Sequence, residues 1–199
     1  MKGPFKTDRK GVRVQIEPAE REVFVQLLTQ LDELLDDGTP ESDDPLAQLV
    51  GMSGLGGLGA DGTGDDGPSP QTPDDPAIAR LLPDANRDDP ELASEFRRLT
   101  EYSLRSRKRE GARTAAAALS RPDPVHLDQA EALSLLKAMT DVRLVIGERL
   151  ELRTDGDAEK LHDRLWSGDG DPHWLAIAST YELLTVWQEH LVSVLSKRH

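Results

Sequence analysis

The segment Leu127–Leu152 carries apolar side chains around most of the circumference of a helix, and Asp128 is placed to cap its start. The apolar residues beyond its first turn are Leu133, Leu135, Leu136, Met139, Val142, Leu144, Val145, Ile146 and Leu150. A surface helix needs one apolar stripe, whereas a helix that is apolar on most sides has to be covered from several directions. The segment therefore predicts the central helix of a bundle. Gly147 within it predicts that another backbone approaches closely.

Four further segments have the capping residues and the periodicity of helices. They begin at Pro18, Asp75-Pro76, Asp89-Pro90 and Asp171-Pro172. Within the third, Gly111 is expected to kink the helix before Ala115–Leu119 continue it. A short helix is also expected at Ala158–Trp166. The predicted fold class is mainly α, a helical bundle with a short N-terminal β-hairpin and a Gly/Asp/Pro-rich disordered insert.

The start of the chain reads as the hairpin. Phe5 and Thr7 alternate before the turn sequence Asp8-Arg9-Lys10-Gly11, and a second alternating run follows at Val12, Val14 and Ile16. Such spacing is typical of two antiparallel strands. Because two strands alone are marginally stable, the helix that begins at Pro18 is expected to support them.

Residues 38–75 differ in character from the rest of the chain. Asp44–Val50 could form two helical turns, and a glycine-rich run at residues 51–59 then leads into an Asp/Gly/Pro tract. A phosphate-binding loop would need a preceding strand and a Gly-Lys-Ser/Thr sequence, so a flexible linker is favoured. The predicted organisation is a single domain, 1–199. It consists of the hairpin and first helix at 1–37, the linker at 38–75 and a helical core at 76–199.

The composition excludes several kinds of chemistry. The chain of 199 residues has no cysteine, which excludes disulfides, zinc-thiolate sites, iron–sulfur clusters and thiol redox switches. The first residues lack the apolar region of a signal peptide, and no run approaches the ~18 apolar residues that cross a bilayer. A cytoplasmic protein without membrane contact is expected.

The net charge of −13 is unevenly distributed. Residues 1–16 carry five basic and one acidic side chain, residues 17–95 three basic and twenty acidic, and residues 96–121 eight basic and two acidic. Such segregation predicts that the basic segments fold against the acidic ones or face an acidic partner. Because an acidic chain is a poor general binder of nucleic acid, direct contact with DNA is possible but expected to be secondary.

The middle basic segment is the best candidate for a contact surface. Its cations are Arg97, Arg98, Arg105, Arg107, Lys108, Arg109 and Arg113. Charge on every side of the turn at 105–109 predicts that this turn is exposed. A DNA-reading element would need a helix-turn-helix context, which the sequence lacks, and no aromatic residue follows Tyr102 among the cations. A solvated face, contacts with the acidic first half and an acidic protein partner remain open as explanations.

Arg143 lies within the apolar arc of the predicted central helix, near Met139 and Leu150, where an arginine is unexpected. The polar stripe of that helix lies on its other side and contains Ser134, Lys137, Asp141 and Glu148. A guanidinium keeps its charge, so a buried one must find a partner. An Asp or Glu partner and a structural role are expected. The alternative is a partner site, or a small polar pocket formed with Gln188 of the last helix.

No catalytic, cofactor or metal site is predicted, and the protein is not expected to be an enzyme. The histidines at positions 126, 162, 173, 190 and 199 do not form His-x-x-x-His. Asp155-Gly-Asp157 resembles the start of a calcium loop but lacks the required glycine and terminal glutamate. Serines occur without a nucleophile elbow.

Two motifs resemble those of a known family. They are Leu136-Lys-Ala-Met-Thr-Asp141-Val-Arg143-Leu-Val-Ile-Gly147-Glu-Arg149-Leu150 and Tyr181-Glu-Leu-Leu-Thr-Val-Trp187-Gln188-Glu-His-Leu191-Val. With the hairpin and Asp75–Leu99, they resemble the actinobacterial AosR-like family of oxidative-stress transcriptional regulators, formerly a domain-of-unknown-function family. The resemblance covers most of the chain outside the glycine-rich insert. It marks a candidate core or partner site at Asp141, Arg143, Arg149 and Gln188.

The resemblance implies a non-catalytic regulatory protein that is associated with transcription in a stress response. Its expected partner is a sigma factor or RNA polymerase. Genes of the family tend to lie near that of the ClpS adaptor, which implies an alternative, an adaptor or accessory protein of Clp proteolysis with no DNA role. The family name implies redox control, but a chain without cysteine cannot sense through a thiol.

Overall fold

A computed structural model describes residues 3–36, 75–83 and 90–197, without the side chains of residues 90–100 and 155. The elements are β1 (Phe5–Asp8), β2 (Gly11–Val14), α1 (Pro18–Leu34), α2 (Pro76–Leu81), α3 (Pro90–Leu119), β3 (His126–Leu127), α4 (Gln129–Arg149), α5 (Asp155–Ser167) and α6 (Pro172–Ser196). The mainly α fold class and the N-terminal hairpin are confirmed. The predicted insert, including Asp44–Val50, lies outside the described residues.

The helices begin where the capping chemistry indicates. Asp128 accepts a hydrogen bond from the backbone N–H of Glu131 at 2.8 Å, and the Glu131 side chain accepts one from the N–H of Asp128 at 2.9 Å. Asp171 accepts from two N–H groups at the start of α6, each at 2.9 Å. Asp75 caps α2 in the same way at 2.8 Å. These side chains satisfy backbone donors that have no partner inside the helix.

The helix α4 is central, as its apolar circumference predicts. It contacts α1, α2, α3 and α6 as well as β2 and β3. Leu135 and Met139 on it are fully buried, and the main core continues into Phe24 and Leu28 of α1 and into Leu191 of α6. A single helix with apolar residues on most sides thus organises the packing of the others.

The hairpin belongs to a three-stranded antiparallel sheet in the order β1-β2-β3. Phe5 pairs with Val14 across the hairpin, and Val12 pairs with Leu127 of β3. β1 packs against α6, so the expectation that the helix after the hairpin supports it is wrong. β3 has only two residues, which is too short for an alternating pattern, so the sequence does not predict this strand.

Two glycines behave differently from their sequence-based expectations. α3 runs unbroken through Gly111, and a Cβ atom built there would meet nothing within 4 Å. This glycine costs the helix about 1 kcal/mol relative to alanine without any packing reason. At Gly147 the atom nearest to such a Cβ is Cε2 of the Tyr181 ring at 3.6 Å, so a side chain rather than a backbone approaches it.

Within the described ranges, no helix has the combined length and apolarity that spanning a membrane requires. The short helix expected at Ala158–Trp166 is present as α5, one turn longer at its start, and Gly168 ends it in the left-handed conformation with φ 69°. The Trp166 side chain on α5 is 80% exposed.

Candidate partner and ligand sites

The basic segment on α3 is divided between two faces of the helix. Arg105 and Arg109 are only 9% and 7% exposed, so the expectation that the turn at 105–109 is exposed is wrong for these two residues, whereas Arg107 is exposed. Arg109 donates from Nε to Asp32 Oδ1 at 2.8 Å and from Nη1 to Asp36 Oδ1 at 3.0 Å. Arg113 donates from Nε to Asp32 Oδ2 at 2.9 Å. Contact with the acidic first half is the explanation that holds for this face.

The carboxylates on α1 stabilise the charge of Arg109. Burial alone would lower the pKa of Arg109, but hydrogen bonding and charge attraction from Asp32, aided by Asp36, outweigh it and raise that pKa above its ordinary value. Arg105 lies on the same face and donates to Glu101 Oε1 at 2.5 Å and to the carbonyl oxygen of Leu35 at 3.3 Å. The side chains of Arg97 and Arg98 lie outside the described residues.

The second face of α3 points toward α4. Lys108 Nζ donates to Asp141 Oδ1 at 2.5 Å, and Asp141 is 5% exposed. Asp141 lies on the side of α4 opposite Arg143, where the polar stripe was predicted, and α3 covers that side. Burial raises the pKa of the Asp141 carboxyl, and the Lys108 ammonium opposes part of that rise.

The raised pKa of Asp141 predicts a stability that increases as the pH falls. Between the ordinary value of 3.8 and the raised folded value, the folded state binds more protons than the unfolded state, so lowering the pH favours folding. Relative to Asp141→Asn, we expect the free energy of unfolding of the natural protein to rise from neutral pH toward about 4. Urea unfolding at a series of pH values measures this difference. Parallel curves for the two proteins would contradict it.

Arg143 joins α4 to α6 through neutral partners. Its Nη1 donates to Gln188 Oε1 at 2.7 Å, and its Nη2 lies 3.4 Å from the Tyr181 hydroxyl oxygen. The guanidinium carbon lies 5.1 Å from the centre of the Tyr181 ring, within cation–π range. Gln188 Nε2 in turn donates to Thr140 Oγ1 at 2.9 Å. Tyr181 and Thr140 thus belong with Arg143 and Gln188 to one set of hydrogen-bonded side chains between α4 and α6.

The expectation of a carboxylate partner for Arg143 is wrong for the part of the chain that the structure describes. The other half-buried or buried arginines there each have a carboxylate oxygen within 3.0 Å, and they are Arg21, Arg80, Arg105, Arg109 and Arg113. Arg143 has only an amide, a phenol and a ring, and its Nε is buried without a hydrogen-bond partner. Its charge is therefore incompletely compensated.

The four candidate residues of the polar site do not form one cluster. Arg143 and Gln188 are in contact, whereas Asp141 faces α3 and Arg149 donates to Asp75 Oδ2 at 2.5 Å. Arg149 ties the start of α2 to the end of α4. Spacing could have suggested the missed members, because Thr140 precedes Arg143 by three residues and Tyr181 precedes Gln188 by seven.

Among the described residues, no group of three or more His, Asp or Glu side chains has an arrangement that could hold a metal ion. His162 Nδ1 lies 3.9 Å from Glu182 Oε2, and its ring contacts Trp166 edge-on at 6.0 Å.

The fold and these contacts define a mainly helical, cysteine-free protein with a small antiparallel sheet and an arginine-centred contact between its last two long helices. The chain belongs to the family described as a domain of unknown function (DUF2017), whose model matches residues 2–195. No curated protein and no solved structure matches it significantly.

Proposed function

We propose that this is a non-catalytic regulatory protein of the bacterial cytoplasm that acts through protein–protein contacts in transcriptional stress control. The partner class is a sigma factor or RNA polymerase, as the AosR-like motifs imply. The observation that carries the proposal is the contact between Arg143 and Gln188, because it joins the two motifs at one place on the α4–α6 surface. The two residues of this contact are 45 positions apart in sequence.

The chemistry of Arg143 suits a protein partner. A guanidinium has five N–H donors, and here single donors of Nη1 and Nη2 reach only neutral oxygens. A carboxylate on a partner could pair with this charge in the bidentate geometry that arginine favours. Two apolar residues near this contact are partly exposed and would add apolar contact area. Leu133, about three turns before Arg143 on α4, is 41% exposed, and Val192, about one turn after Gln188 on α6, is 44% exposed.

Substitution of Arg143 by methionine tests whether this residue contributes more to partner binding than to the stability of the fold. The variant leaves Gln188 Oε1 without its donor, and no carboxylate is abandoned, so we expect the free energy of unfolding to fall by only about 1 kcal/mol. Loss of a central arginine contact is expected to weaken partner binding at least about tenfold. Thermal unfolding and affinity capture of the full chain from cell lysate measure the two effects.

The matched control is Arg13→Met, since Arg13 is exposed on β2. Sigma factor or polymerase recovered by the natural protein and by the control, but not by Arg143→Met, would support the proposal. Recovery of Clp components instead would support a proteolytic adaptor. Equal recovery by all three proteins would exclude Arg143 from the contact, and specific, salt-resistant binding to a promoter fragment would make DNA a direct partner.

A further inference from the structure

A cleft of about 520 Å³ lies between α3 and α4, on the side of α4 opposite Arg143. We infer that this cleft binds a phosphorylated small molecule. The residues that carry the inference are Leu104, Arg107, Lys108, Gly111, Ser134 and Lys137. The volume lies within the range of pockets that enclose small ligands, about 300–1,000 Å³.

Gly111 is the first observation that favours a ligand. A glycine inside a helix destabilises it relative to alanine, and packing gives no reason for this one because a Cβ atom would meet nothing within 4 Å. Gly111 does line the cleft, so its missing side chain deepens the space between the two helices. A group of the ligand that approaches the α3 backbone explains a glycine at this position.

The charges of the cleft form the second observation. Lys108 is neutralised by Asp141, but among the described residues neither Arg107 nor Lys137 contacts a carboxylate. Arg107 instead donates to the carbonyl and hydroxyl oxygens of Ser103. Two cations are then available to a phosphate group, which carries nearly two negative charges at neutral pH.

The remaining lining completes a site for a small molecule. Ser134 brings a hydroxyl that makes no hydrogen bond within the described residues, and Leu104 and Ala138 supply an apolar wall. Glu110 also lines the cleft and accepts a hydrogen bond from the Thr114 hydroxyl at 3.3 Å. Its negative charge disfavours the binding of anions that have several separate charged groups. A molecule whose only charged part is one phosphate or diphosphate group fits this lining, because that group can pair with the two cations and the rest of the molecule is not repelled by Glu110.

The test is a calorimetric titration of the full chain with inorganic pyrophosphate. We expect saturable binding that Lys137→Gln and Arg107→Gln each weaken at least tenfold. The control Lys6→Gln removes an exposed lysine from β1 and should leave the affinity unchanged. Absence of saturable binding, an equal loss with Lys6→Gln, or full affinity in both cleft variants would overturn the inference. So would binding of citrate without binding of pyrophosphate.

A pair of substitutions at Gly111 distinguishes a ligand site from a structural cleft. Gly111→Ala should raise the melting temperature, because the added methyl group meets open space and alanine favours the helix. Gly111→Leu should fill the cleft and reduce pyrophosphate affinity at least tenfold while the far-ultraviolet circular dichroism stays unchanged. Retained affinity in a folded Gly111→Leu protein would contradict the site. If that variant unfolds, the two cation variants decide the outcome.

Discussion

Replacing Phe24 by alanine is expected to lower the free energy of unfolding by about 3–5 kcal/mol. Phe24 is 1% exposed on α1, and its ring contacts the Trp187 ring of α6 edge-on with centroids 5.7 Å apart. The truncation removes buried apolar area and leaves a cavity at a junction of two helices that are far apart in sequence. Urea unfolding followed by circular dichroism measures the loss.

The neighbouring Val23 provides the control for Phe24. Its side chain is 51% exposed, so Val23→Ala on the same helix should change the free energy of unfolding by less than about 0.5 kcal/mol. Because alanine favours the helix more than either valine or phenylalanine, helix propensity cannot cause a loss in these variants, and similar losses would show that packing between α1 and α6 does not set the effect.

Replacing Arg109 by methionine is expected to lower the free energy of unfolding by about 3 kcal/mol. Removing one member of a buried ion pair typically costs about 3–5 kcal/mol, because the other charge stays behind without compensation. The lower end applies here since Asp32 keeps its bond from Arg113 and Asp36 is accessible to water. Arg107→Met, two residues away and exposed, is the control and should be nearly neutral.

A double variant tests the mechanism behind the Arg109 effect. If the cost comes from the abandoned carboxylate, adding Asp32→Asn to Arg109→Met should recover part of the lost stability. Additive losses from the two substitutions would show that the Arg109 side chain acts through packing alone. Chemical denaturation of the two single variants and the double variant completes the cycle.

The structural role of Arg109 also means that much of the basic segment is not an exposed contact surface. Arg105, Arg109 and Arg113 fall on one face of α3 because they are spaced by four residues, and they meet α1 there. Most of the local positive charge on that face is used inside the fold. What is left for a ligand lies on the other face, at Arg107 and across the cleft at Lys137.

The sequence by itself determined where the helices begin and which one is central. Capping by Asp128 and Asp171 depends on residues next to each other in the chain, and the apolar circumference of α4 is a property of one helix. Such local chemistry can be read without knowing the partners. Membership of the DUF2017 family agrees with the resemblance to a former domain-of-unknown-function family, and the regulatory role remains a proposal.

Only the tertiary structure decided what the charged residues on these helices contact. Helical periodicity places Asp141 and Arg143 on opposite sides of α4, but it does not reveal that α3 covers the first or that Gln188 and Tyr181 meet the second. The two-residue strand β3 likewise exists through its pairing with Val12. Ion pairs, strand pairs and the two walls of the cleft each involve residues that are distant along the chain. They therefore depend on how the helices and strands pack, which local sequence does not specify.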